Sequence, residues 1–196
     1  MSGAKTMATT SLWPFAWAAG KVAEPLRRAW AHARLATKIA FPPDPSVVIL
    51  GVPEIHGTGR ISLGKNLFLY RELYWETQET GSITVGNDVV MSRGVHIVSF
   101  CRVSIGDGTM IGEYTSIRDA NHRIRTGLSI RVSGHEAAPI TIGRNVWIAR
   151  GVMVLPGVTI GDEAVIGANA VVTKDIPAGA IAVGVPAHPV AETRAA

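Results

Sequence analysis

One spacing dominates the sequence: from Ile142 onward, a branched apolar residue recurs at every sixth position. The series is Ile142, Ile148, Val154, Ile160, Ile166 and Val172. Four positions after each of its first five members lies Val146, Val152, Val158, Ala164 or Ala170. A period of six fits neither an α-helix nor an alternating strand. Such units can bury their apolar side only by stacking, so the spacing predicts a coil of short β-like edges around a column of similar side chains.

The same spacing occurs upstream with two interruptions. The first set is Val85, Met91 and Ile97, and the second is Ile105, Ile111 and Ile117. The step of eight between the sets implies a two-residue insertion near Phe100. After the second set the period fails until Ile142, so we expect a polar excursion loop at 118–139. Three edges of six residues make one coil, and the sequence therefore predicts an all-β fold of about five coils. Loops this long in a compact repeat are usually functional or disordered.

The positive charge of the chain is concentrated at its beginning. The formal net charge is +4, but residues 1–38 alone carry +5, so the remainder is nearly neutral. A nearly neutral repeat body has no basic face that follows a phosphate backbone, which argues against nucleic-acid binding. Cys101 is the single cysteine, so no disulfide can form within the chain.

We expect residues 1–45 to form a helical extension and residues 46–196 the repeat domain. One helical face collects Val22, Leu26, Trp30 and Ala33, with Arg27, Arg34 and Lys38 beside it. One interpretation is an interfacial helix at 13–41 that lies on an anionic membrane, anchored by Trp13, Phe15 and Trp17. The other is a helix packed on the coil or on a neighbouring subunit. Leu35 and Ile39 fall off the apolar face, which favours the second.

No run of 18 apolar residues is present, and the short apolar stretch 12–20 is broken by Pro14. We therefore expect neither a membrane span nor a cleaved signal peptide. The expected location is the cytoplasm, with peripheral contact at the inner face of the membrane under the first interpretation.

Three motifs resemble the hexapeptide-repeat acyltransferases of the sugar O-acetyltransferase type. They are SIRDANH at 116–122, ITIGRNVWIA at 140–149 and AVIGANAVVTKDIPAGAIAVGVPA at 164–187. The resemblance covers about residues 60–190. It implies a left-handed parallel β-helix, a homotrimer, and acetyl-CoA bound between neighbouring subunits as the acyl donor, with no metal.

The resemblance also implies a general base at His122, which ends the first motif. Acyl transfer from a thioester needs a group that removes the acceptor proton and then protonates the leaving thiolate, and an imidazole can do both near neutral pH. His135 lies in the same loop outside the motif and is the competing candidate. Asp119 either orients the imidazole as a triad carboxylate does or bonds the loop backbone at a corner.

Coenzyme contacts carry over to six residues of the second and third motifs and their C-terminal edge. These are Ala149, Arg150, Ala168, Thr173, Lys174 and His188. Arg150 departs from the small residue common in the family at that position. Asn121 is a candidate for substrate binding. Trp147 either lines the substrate cleft or packs at a trimer interface.

The resulting hypothesis is acetyl transfer from acetyl-CoA to a hydroxyl of a sugar, in cell-envelope or exopolysaccharide biosynthesis. The acceptor would be a glycan or another small molecule. Transfer to the amine of an amino sugar is the nearest alternative. A zinc enzyme of the carbonic anhydrase type needs three converging histidines, and His122 has no histidine partner at the usual spacing of five. A non-catalytic β-helix scaffold is the remaining alternative.

Overall fold

The computed structural model describes the backbone of residues 3–193 and the side chains of residues 14, 17, 18 and 23–193. After one helix, α1 (Gly3–Ala36), the chain winds as a parallel β-helix with three faces. Each strand pairs with the strand one coil before it and the strand one coil after it, as stacked repeats require.

Face 1 consists of parallel strands and one antiparallel strand at its end. The parallel strands are β1 (Val48–Ile49), β4 (Phe68–Leu69), β7 (Val90–Met91), β10 (Met110–Ile111), β15 (Trp147–Ile148), β18 (Val165–Ile166) and β20 (Ala180–Val183). The antiparallel strand is β21 (His188–Glu192).

Faces 2 and 3 are built in the same way. Face 2 contains β2 (Glu54–Gly57), β5 (Tyr74–Thr77), β8 (His96–Ser99), β11 (Ser116–Arg118), β16 (Met153–Val154) and β19 (Val171–Val172). Face 3 contains β3 (Ile61–Leu63), β6 (Ile83–Val85), β9 (Val103–Ile105), β14 (Ile140–Ile142) and β17 (Thr159–Ile160). The chain turns at corner 1–2, corner 2–3 and corner 3–1, named for the faces that each joins.

The six-residue series forms the core. Every member from Ile142 to Val172 is buried, and so are the five residues of the second series. Where the coils stack closely, the corner excludes a side chain: a Cβ at Gly106 would lie 2.6 Å from the carbonyl carbon of Gly143. Burial of a branched side chain contributes about 1.5–3 kcal/mol, so the column is the main stabilising element.

The described chain makes six coils, where the sequence indicated about five. The missed coil is the first, β1 to β3, where the face 1 strands β1 and β4 are 20 residues apart instead of 18. Extra residues at corners keep the register of the strands while breaking the spacing along the sequence. The same effect produces the step of eight at Phe100.

Helix α1 covers the N-terminal end of the coil, with a different face inward from the one that the pattern indicated. Ala31, Leu35 and Ile39 are buried in the core cluster. Leu26 and Trp30 are 67% and 66% exposed. The expected apolar face therefore does not pack on the coil of its own chain, because Leu35 and Ile39, which fall off that face, are the residues that contact the coil. The side chain of Val22 lies outside the described residues.

Candidate active site

The excursion loop leaves the coil at corner 2–3 as a β-hairpin. Its strands are β12 (Ala120–His122) and β13 (His135–Ala137), joined by a segment with a 3-10 turn at Ile130–Val132. The register pairs His122 with His135. The buried hydroxyl of Ser133 donates to the carbonyl oxygens of Arg123 and Ile130, which closes the hairpin behind the histidines. The predicted loop is confirmed, and the residues near its two ends form paired β-strands.

Asp119 anchors the base of this hairpin. Its carboxylate is buried and accepts hydrogen bonds from Ser99 Oγ at 2.8 Å and from the backbone N–H groups of Phe100, Cys101 and Arg102 at 2.7, 2.9 and 2.7 Å. All four donors lie at corner 2–3 of the preceding coil. The sequence left two roles open for Asp119. Its hydrogen bonds match the role of a corner residue that binds the backbone, and not the role of a carboxylate that orients the His122 imidazole.

His122 is exposed, and its ring lies tilted against the ring of His135. The ring centroids lie 4.4 Å apart at an interplanar angle of 38°. His135 also contacts the ring of Phe100, again at 4.4 Å. A residue outside the matched motifs therefore contacts the candidate base, and Phe100 contacts that residue in turn. In the sequence, the two-residue insertion near Phe100 marks this corner. The pairing of the two histidines could not be predicted from the sequence, because it depends on the register of the hairpin.

Asn121 lies on the other side of the hairpin from His122, because neighbouring residues of a strand alternate. It pairs with Glu136, and both residues are exposed. The structure does not bring Asn121 to the imidazole within one chain.

A second cluster lies at corner 1–2. An open groove of about 400 Å³ is lined by Trp147, Ala149, Arg150 and Ala168, together with Ser92, Met110, Ile111, Gly112 and Glu113. Arg150 covers the ring of Tyr114, with its guanidinium carbon 5.6 Å from the ring centroid. The small residues leave room along the backbone for an extended chain, such as the pantetheine arm that the sequence resemblance predicts. The sequence analysis did not predict the groove residues from the earlier coil. Strand β10 pairs with β15 across 37 residues, and this offset is not apparent from the repeat spacing.

The remaining predicted coenzyme residues divide between the same two corners. Thr173 and Lys174 follow β19 and are exposed at corner 2–3, on the side of the hairpin. His188 begins β21 after the corner 1–2 turn that follows β20, and its Nδ1 lies 3.3 Å from the carbonyl oxygen of Pro186. The predicted site is thus two half-sites on different edges of the prism, one with His122 and one with the groove.

Face 2, between these corners, carries an outward polar cluster that the sequence did not indicate. Tyr74 donates to Glu76 at 2.7 Å, Gln78 donates to Glu76 at 3.0 Å, and the ring of Tyr74 stacks on His96 at 4.4 Å. The hydrogen bond to Glu76, with burial, raises the pKa of Tyr74 to about 12. We call Tyr74, Glu76, Gln78, His96 and Arg118 the face-2 cluster.

The ionisation of the face-2 cluster follows from these contacts. Burial opposes ionisation of Glu76, but hydrogen bonds from Tyr74 and Gln78 and the charge of Arg118 hold its pKa below the usual range. Burial, with a further contribution from Arg118, lowers the pKa of His96. Near neutral pH the cluster therefore contains an ionised carboxylate beside a neutral imidazole.

Two negative findings apply to the described part of the chain. No group of three or more His, Cys, Asp or Glu side chains is arranged to hold a metal ion. No described helix combines the length and the apolar character that crossing a bilayer requires.

Comparison with known proteins agrees with the repeat architecture. Residues 139–174 match the family model described as bacterial transferase hexapeptide, six repeats. Galactoside O-acetyltransferase of Escherichia coli K12 is 36% identical over 132 residues, which cover 67% of this chain and 63% of that protein. A second E. coli K12 protein, named for O-acetyl transfer in lipopolysaccharide biosynthesis, is 33% identical over 141 residues, covering 68% of this chain and 72% of that protein.

A solved structure shows the same fold. An N-acyltransferase from Bacillus cereus, in complex with coenzyme A and dTDP-4-amino-4,6-dideoxyglucose, superposes with a TM-score of 0.71 at 19% identity. The match covers 83% of this chain and 90% of that one. The shared architecture is the left-handed parallel β-helix.

Proposed function

The chain belongs to the bacterial hexapeptide-repeat transferases, and we propose that it transfers an acetyl group from acetyl-CoA to a hydroxyl of a sugar. The observation that carries the proposal is the exposed imidazole of His122, held by ring contacts on a hairpin at the end of the SIRDANH motif. The likeness to galactoside O-acetyltransferase supports the hydroxyl as acceptor. The likeness to the protein named for lipopolysaccharide biosynthesis supports a glycan of the cell envelope.

His122 supplies the proton transfers of this reaction. Its neutral imidazole takes the proton of the acceptor hydroxyl as the hydroxyl oxygen bonds to the thioester carbonyl carbon. When the C–S bond breaks, the imidazolium returns that proton to the thiolate. One imidazole serves both steps, and no covalent enzyme intermediate is needed.

The catalytic site lies between two copies of the chain, in our proposal. The groove of Trp147, Ala149, Arg150 and Ala168 occupies corner 1–2, while His122, Thr173 and Lys174 occupy corner 2–3. One prism cannot bring two of its own edges together, because the coil keeps them apart. A second copy that places its corner 2–3 against the groove completes the site.

Repeating this heterologous contact around an axis closes a ring, and we propose a homotrimer. In such a ring the face between the two contacting corners turns toward the axis. That face is face 2, which carries the face-2 cluster at one end and the half-exposed Met153 nearer the other. Light scattering at micromolar concentration tests this assembly, and a monomer would contradict it.

The outer side of α1 is proposed to contact an anionic membrane surface. Leu26, Trp30 and Trp17 are more than half exposed, and the surrounding segment is strongly basic. Glu24 pairs with Arg27 and Arg28, which reduces but does not cancel this charge. Each basic residue near such a surface contributes about 1 kcal/mol.

Vesicle binding separates this role from packing against a neighbouring subunit. The double variant Leu26→Ser, Trp30→Ser should lose binding to phosphatidylserine vesicles and keep its oligomeric state. If instead the variant binds vesicles as the parent protein does and its oligomer is weakened, the exposed side of α1 is a subunit contact.

The experiment for the proposed reaction measures thiol release from acetyl-CoA with a panel of sugars and amino sugars. His122→Ala should lower the rate by about 10² to 10⁴, the usual contribution of a general base, and change coenzyme affinity only a few-fold. Glu136→Ala, an exposed change in the same hairpin, is the control. Acetylation of amines alone would establish the N-acetyl alternative, and release with no acceptor in the panel would contradict sugar acetylation.

A further inference from the structure

We propose that His135 is a positioning residue that orients the imidazole of His122 by a tilted ring contact, with Phe100 as its support. This inference rests on the proposed function of His122. It assigns a role to two residues that lie outside the motifs shared with the family, and it replaces the carboxylate partner that a catalytic histidine usually has.

Among the described residues, no hydrogen bond restrains the imidazole of the base. In the part of the chain that the structure describes, the side chain of His122 makes no hydrogen bond with another residue, and Asp119 is fully occupied at its corner. The ring contact with His135, at 4.4 Å and 38°, is the contact that fixes the plane of the imidazole. Offset and tilted ring pairs at this separation attract each other.

The support of the imidazole is rigid on the side away from His122. His135 is half-buried between His122 and Phe100. Phe100 belongs to the turn whose backbone N–H groups bind the buried carboxylate of Asp119, and its own N–H donates to Asp119 at 2.7 Å. The Asp119 carboxylate therefore fixes the turn, the turn carries Phe100, and the ring of Phe100 supports both imidazoles.

The position of the base in the loop also requires a restraint. His122 is the last residue of its strand, and the chain beyond it runs through a segment of exposed residues from 123 to 132. Beside such a segment, an exposed imidazole without a restraint would populate several rotamers. Misplacement of a reacting group by about 1 Å can lower a rate by about 10²-fold, so a stacking partner has a measurable effect.

The test compares ring-deleting and ring-retaining variants in the intact oligomer. His135→Ala and Phe100→Ala should each lower kcat by about 10-fold to 100-fold and leave KM for acetyl-CoA within about threefold. His135→Phe keeps a ring and should retain kcat within about threefold. The double variant should lose little more than either single one, because both changes remove the same support. Glu136→Ala is the matched control on the same strand and should be unchanged.

Two outcomes would overturn the assignment. If His135→Ala retains full kcat, the stack does not position the base. If His135→Phe is as inactive as His135→Ala, the imidazole of His135 itself takes part in the reaction, and stacking is not its role.

A readout without turnover separates failure of this inference from failure of the proposed function. NMR of the imidazole C–H groups should show the His122 resonance displaced by ring currents in the parent protein and in His135→Phe. In His135→Ala that displacement should disappear. A His122 resonance that is the same in all three proteins would contradict the stack even if no acceptor were ever identified.

Discussion

The most demanding single change in this molecule is Asp119→Ala. It leaves three backbone N–H groups at corner 2–3 without their acceptor, and it removes one of the two acceptors of the Ser99 hydroxyl, which keeps the carbonyl oxygen of Ser82 at 3.0 Å. An unpaired buried donor costs about 1–3 kcal/mol, and the three N–H groups together would cost several times one such loss. Because Phe100, Cys101 and Arg102 are not fully buried, water satisfies part of the loss, and we expect a decrease of about 3–5 kcal/mol in the free energy of unfolding.

The substitution Asp119→Asn keeps the shape of the side chain and removes its negative charge. An amide keeps one oxygen, which can remain with Ser99, Cys101 and Arg102, but its NH₂ then faces the N–H of Phe100. One hydrogen bond becomes a contact between two donors, so we expect a loss of about 1–3 kcal/mol. Asp107→Ala is the matched control at an exposed corner, where Oδ1 accepts from the backbone N–H of Asn87 at 2.6 Å, and it should cost about 1 kcal/mol or less.

The assay is urea unfolding followed by circular dichroism at one fixed protein concentration, because the apparent stability of an oligomer depends on concentration. The order of stability should be parent, Asp107→Ala, Asp119→Asn, Asp119→Ala. If Asp119→Ala is as stable as Asp107→Ala while its kcat collapses, the carboxylate serves the imidazole directly and the corner role is wrong.

Three further predictions concern other parts of the chain. Leu35→Ala should destabilise the protein by about 2–5 kcal/mol by leaving a cavity under α1, whereas Leu26→Ala should change the free energy of unfolding little. Glu76→Gln should be less stable than the parent above the ordinary carboxyl pKa of 4.5, because the pKa of Glu76 is lowered in the folded protein; the difference should vanish as the pH falls through that lowered pKa, measured by unfolding at a series of pH values. Lys174→Ala should raise KM for acetyl-CoA more than it lowers kcat, in steady-state kinetics at several salt concentrations, since an exposed ammonium acts on phosphates through a screened charge.

The residues that face the core of the coil could be predicted from the sequence. Hydrophobic periodicity reports which residues face the core, so the column from Ile142 to Val172 and the interruption after Ile117 followed directly. Motif resemblance added His122 and the small residues of the groove as candidates. These features depend on local spacing or on short motifs, and both survive insertions elsewhere in the chain.

The contacts between outward-facing side chains depend on the register between coils. Insertions at the corners change this register, and the hydrophobic periodicity does not reveal the change. Met110 meets Trp147 across 37 residues, and His122 meets His135 across a hairpin whose pairing no repeat specifies. The side of α1 that packs on the coil was not predicted, for a related reason. Among the described side chains, the helix end and the turn after it bury Ala31, Leu35 and Ile39 against the coil, too few residues to dominate an amphipathic pattern.

The proposed division of the site between two corners would explain why no single stretch of sequence contains it. This division also leads to a prediction that cannot be tested by measuring the activity of a single purified variant. A site shared between copies should be rebuilt from two inactive variants, each defective at a different corner.

The decisive measurement is therefore the activity of hybrid oligomers of His122→Ala and Ala168→Trp. The first variant lacks the base at corner 2–3, and in the second an indole fills the groove at corner 1–2. Each homo-oligomer should be nearly inactive. In randomly mixed trimers, about a quarter of the contacts join an intact groove to an intact His122, so acetyl transfer should return to about a quarter of the parent rate. A mixture no more active than its separate components would contradict a site between subunits.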